Sequence, residues 1–109
     1  EFEQLLAQSF QLAEGDKSRV FVLSIPDYGV TPFAQEKNPQ KIAVEIDQYN
    51  NIARQICEKQ EITFFDITEI SRNAVNDSSL IANDGLHPSG KMYGLWAEKT
   101  FPFAVSLFK

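Results

Sequence analysis

The one histidine of the chain, His87, stands three residues after a carboxylate in Asp84-Gly85-Leu86-His87-Pro88. An imidazole works as general base or acid when one ring nitrogen faces the reacting group and the other donates to an acceptor that fixes tautomer and orientation. A loop turned by Gly85 and stiffened by Pro88 lets Asp84 be that acceptor. The carboxylate then stabilises the imidazolium without itself taking the proton. The alternative is a loop clamp, in which Asp84 only caps its own turn. Asp27 and Tyr28 follow Pro26 at the end of an apolar run, the edge where open α/β sheets bind ligands. They are candidate substrate-rim residues, against a Pro-Asp-Tyr-Gly turn in which Asp27 caps its own backbone.

The other chemistry-bearing residue types offer less. No Gly-x-Ser-x-Gly elbow occurs, and Ser24, Ser71, Ser78, Ser79 and Ser89 read as strand, turn and cap residues. Cys57 reads as a small apolar filler. One thiol and one histidine make neither an internal disulfide nor a zinc cage.

A base on a loop needs elements to hold it. Phe2, Leu5, Leu6, Leu12 and Ala13 share a helical face, and Gly15 stands where a helix C-cap glycine belongs, which predicts a helix of about 12 residues. Val20–Ile25 is a nearly continuous β-rich apolar run closed by Pro26, a strand that wants cover on both faces. After a loop from Asp27 to Gln40, Ile42, Ile46, Tyr49, Ala53 and Ile56 step by four and three along one helical stripe. Ile62–Ile67 is the second β-rich run, and strand, helix, strand builds a parallel pair. Residues 68–88 read as a long loop with one helical turn. Ser89 then caps a last helix stacking Met92, Leu95, Trp96 and Lys99, which Pro102 breaks or kinks. Tyr49, Trp96 and the phenylalanines are expected in the core.

At 109 residues and 12.3 kDa the chain is the length of one domain, residues 1–109. Hydrophobic residues at 43% make it a folded chain, and a net charge of −5 is the wrong sign for nucleic acid or anionic lipid. No apolar run approaches the roughly 20 residues of a membrane span. Two parallel strands leave Val20–Ile25 with an unpaired apolar edge, open to a partner or to a second copy. The pattern is that of part of a larger doubly wound α/β fold. The opening Glu1-Phe2-Glu3-Gln4-Leu5-Leu6 lies already inside an amphipathic helical pattern, so a preceding stretch is expected.

These residues together resemble the SGNH hydrolases, or GDSL esterases and lipases. Asp84, His87 and Pro88 match the Asp-x-x-His-Pro block before that family's last helix, followed in similar style by Ser89, Tyr93, Trp96 and Ala97. Val20 to Gly29 and Phe64 to Ile67 resemble its last two strands with the turn after the first. Met92 departs from the family, where many members have Gly. The resemblance implies an α/β fold, the C-terminal part of a flavodoxin-like three-layer α/β/α arrangement with a parallel sheet. It also implies hydrolysis of a small ester or lipid through an acyl-enzyme, with Asp84 and His87 catalytic and no metal or organic cofactor needed. The family's Gly-Asp-Ser nucleophile block and its oxyanion Gly and Asn are absent, and Gly15-Asp16 is followed by Lys17. The chain is thus expected to carry the Asp-His pair, to depend on a missing N-terminal half for the serine, and to be inactive alone. The rival expectation is a noncatalytic α/β module that binds through its exposed strand edge.

Overall fold

The computed structural model describes residues 2–106. Helix α1 spans Phe2–Leu12. It closes through left-handed Glu14 and Gly15, and the Gly15 amide donates to the Phe10 carbonyl at 2.7 Å. Strand β1 is Phe21–Leu23 and β2 is Thr63–Phe65. They pair in parallel, Val22 opposite Phe64, in a two-stranded sheet. Between them runs α2, Pro39–Lys59, opened by Asn38, whose side chain accepts the Lys41 amide, with Pro39 in the first turn. The short helix α3, Thr68–Arg72, follows β2 directly, and α4 spans Gly90–Ser106.

Alternation along the strands sends successive side chains to opposite faces. Val22 and Phe64 pack with Leu6, Phe10, Val20, Cys57 and Ile62, joining α1 and α2 to the sheet. Phe21 and Phe65 instead form an edge-to-face triad with Phe103 of α4, each ring meeting the other two with centroids 5.5–5.8 Å apart. A separate cluster of Ala74, Leu80 and Met92, with Val30, Ile70, Ile81, Leu95 and Trp96 against it, seats the start of α4.

Several expectations need correction. The strand has helices on both faces as expected, but a sheet of two short strands is narrow and the cover is incomplete at its end, where Leu23 and Ile25 are partly exposed. Leu5 and Leu12 face solvent, and Phe10 replaces them in the core. On α2 the buried line is Ile42, Ile46, Asn50, Ala53 and Cys57, so Tyr49 is exposed. Phe33 and Phe101 are exposed as well. Residues 68–88 hold α3 and two further turns of 3-10 helix, Asn73–Val75 and Ser78–Leu80, more structure than one helical turn. Helix α4 runs through Pro102 to Ser106. Met92 fills the core at its first turn, 1% exposed, while Ser89 caps it by accepting the Met92 amide.

Candidate functional site

The segment between Leu80 and Gly90 is a closed loop. Ile81 and Pro88 form an antiparallel bridge at its base, the Ala82 amide donates to the His87 carbonyl at 2.7 Å, and the Ser89 amide to that of Leu80. Gly85 supplies the turn at φ 74°, a left-handed conformation that glycine adopts at low cost. Asp84 Oδ1 accepts the amides of both Leu86 and His87 at 2.9 Å. Its Oδ2 lies 2.5 Å from His87 Nδ1. The same carboxylate therefore caps the turn and holds the ring by its Nδ1.

The consequence for charge is direct. The Leu86 amide, the His87 ring and the His87 amide together hold the Asp84 carboxyl at about 2, below its ordinary 3.8. An ionised Asp84 at neutral pH favours the tautomer with the proton on Nδ1 and leaves Nε2 a free acceptor. The His87 side chain is 69% exposed, and Nε2 has no hydrogen-bond partner among the described residues. Such a ring can take a proton from a group delivered to its open side.

The candidate rim residues behave differently from each other. Asp27 is corrected from a ligand contact to an internal anchor, because its side chain is 2% exposed and both oxygens are occupied. Oδ1 caps the Gly29 amide at 2.8 Å, and Oδ2 meets Arg72 Nε at 2.9 Å. Tyr28 is exposed on the 3-10 turn Tyr28–Val30 and has no hydrogen bond to Asp84 or His87. A cleft of about 750 Å³ opens beside the histidine loop, between Val30, Pro32, Ala74, Val75, Ile81 and Ala82.

Of the serines, Ser24 and Ser71 are buried and structural. Ser24 Oγ links Asp66, Ile67 and Thr68, and Ser71 Oγ accepts the Asp27 amide. Ser78 and Ser79 lie in a 3-10 turn. Burial pushes the Cys57 thiol up, consistent with a filler role. The residues that composition and spacing left unmarked are Asn50, Thr68 and Arg72, whose partners lie 18 to 45 positions away. Arg72 lies two places before Ala74, and no local pattern distinguishes it from a surface cation.

The sequence pattern of the GDSL-like lipase/acylhydrolase family matches residues 1–95, and the chain belongs to that family. No curated protein and no solved structure matches it. No helix among the described residues is long and apolar enough to cross a membrane.

Proposed function

We propose that this chain supplies the Asp84-His87 half of a serine ester hydrolase whose nucleophile lies on another stretch of polypeptide. The observation that carries the reading is the 2.5 Å contact between Asp84 Oδ2 and His87 Nδ1 on a ring that stays open to solvent. His87 Nε2 removes the proton of the incoming serine as it attacks the ester carbonyl. The imidazolium, steadied by Asp84, returns that proton to the departing alkoxide, and the cycle repeats with water on the acyl-enzyme. Tyr28 is retained as a rim residue and Asp27 is not.

The missing partner is proposed to be the N-terminal half of the same domain, completing a three-layer α/β/α fold. Its support is chemical and geometric. The chain has no Gly-Asp-Ser block, the outer edge of β1 pairs with no strand among the described residues, and helices already pack on both faces of the sheet.

The test is nitrophenyl ester hydrolysis. The isolated 109 residues are expected to give no turnover above that of an equal concentration of free imidazole, since the pair alone brings neither serine nor oxyanion donors. A longer polypeptide that adds a Gly-Asp-Ser block is expected to turn over, and His87→Ala to slow it by about a thousand-fold. Turnover by the isolated chain well above that imidazole control, and lost in His87→Ala, overturns the division of labour. Turnover by the longer chain that ignores His87→Ala overturns the role of the pair.

A further inference from the structure

Arg72 ends α3 and touches neither Asp84 nor His87, yet it is tied to them by an unbroken series of contacts. Its Nε donates to Asp27 Oδ2 at 2.9 Å and its Nη2 to Asp47 Oδ1 at 2.9 Å, with the Ala43 carbonyl at 3.4 Å. Asp27 is the decisive partner, because a carboxylate this deeply buried is costly once its cation is gone. Burial alone would lower the Arg72 pKa, but the bonds to Asp27 and Asp47 carry it above the ordinary guanidinium value.

Asp27 in turn fixes the direction in which the chain leaves β1. Its amide donates to Ser71 Oγ at 2.9 Å and its Oδ1 caps Gly29 at 2.8 Å. The segment that follows reaches the histidine loop, where the Phe33 amide donates to the Gly85 carbonyl at 3.1 Å. The Pro32 ring lies against the same glycine, 3.6 Å from where a Cβ would stand. The Gly85 carbonyl and the Leu86 amide belong to one planar peptide unit. Phe33 holds one side of that plane and Asp84 Oδ1 the other. Tilting the plane moves Asp84, and with it the contact to His87.

We propose that Arg72 is a positioning residue. By anchoring Asp27 and the segment to Phe33, it pins the Gly85–Leu86 peptide and keeps the Asp84 carboxylate in line with His87 Nδ1. The proposal rests on the reading of Asp84 and His87 as the working pair.

Because the chain has a single histidine, ¹⁵N shifts report the tautomer of one ring without overlap. The wild-type neutral ring is expected to be mainly protonated on Nδ1. Arg72→Met is expected to move the tautomer ratio toward the Nε2-protonated form by about tenfold, the effect of losing one hydrogen bond of ordinary strength. Arg72→Lys, which keeps a cation beside Asp27, is expected to restore most of the wild-type ratio. Near-wild-type far-ultraviolet circular dichroism identifies the variants that are folded. An unchanged ratio in folded Arg72→Met overturns the proposal. Should that variant not fold, Asp27→Asn keeps the side chain's shape while giving up the ion pair with Arg72, and an unchanged ratio in that folded variant overturns it equally. A wild-type ring without the Nδ1-protonated form would instead overturn the Asp84-His87 reading itself.

Discussion

Three donors converge on the Asp84 carboxylate, and their joint effect sets how the molecule responds to acid. Its pKa of about 2 when folded lies below the 3.8 of an unperturbed aspartate, so the stabilisation it lends is complete above 3.8 and is lost as pH falls toward 2. Urea midpoints should therefore separate wild type from Asp84→Asn at neutral pH and converge as the solution is acidified through that window. A constant gap at all pH values would mean that the carboxylate contributes nothing through its charge. Trp96 presents a different balance. Its indole N–H is buried without an acceptor among the described residues. Trp96→Phe removes an unsatisfied donor together with some packing, and calorimetry should find it within about 1 kcal/mol of wild type. At this scale the sequence was most readable where partners are neighbours. Asp84 and His87 share one turn, and the Asp-x-x-His spacing announces it. Arg72 and Asp27 meet across 45 positions, and nothing in either local segment advertises the other.

The helices and strands repeat this division. The apolar runs at Val20–Ile25 and Ile62–Ile67 located both strands, since β-rich runs need no knowledge of what covers them. The face of α2 was harder to read because Asn50 is buried there. Its amide group bridges the Ile25 amide and the Thr68 hydroxyl, a polar role that a count of apolar residues passes over. In α4, Pro102 leaves the Glu98 carbonyl without its helical donor. Pro102→Ala, at an exposed position, should raise stability by about 1–3 kcal/mol while retaining the Phe103 contacts, as read from the melting temperature. Leu80 lies at the opposite extreme. It is 2% exposed at the seam between the 3-10 turn and α4, and Leu80→Ala should cost about 2–5 kcal/mol, much of the stability of a domain this small. A cost below 1 kcal/mol in chemical denaturation would show that this seam collapses around the loss.

As a whole, the molecule exposes more than its mass requires. Its surface of 7382 Å² is roughly a fifth above the value expected of a compact chain of 12.3 kDa. Its radius of gyration of 15.3 Å exceeds the roughly 13 Å of a closed domain of this length. Exposed Tyr93 and Phe101 on α4 and the free margin of β1 contribute to this excess. Left alone, the chain should self-associate, and light scattering should show its apparent mass rising with concentration. A strict monomer at millimolar concentration would rule that out. The closed loop from Ile81 to Pro88 has a different consequence for assembly. Aligning acid and imidazole requires nothing from outside, so on the proposed function a separately expressed serine-bearing piece should restore nitrophenyl ester turnover by docking as a rigid body. Complementation by simple mixing, without co-translation, is the outcome that the proposed division of labour predicts.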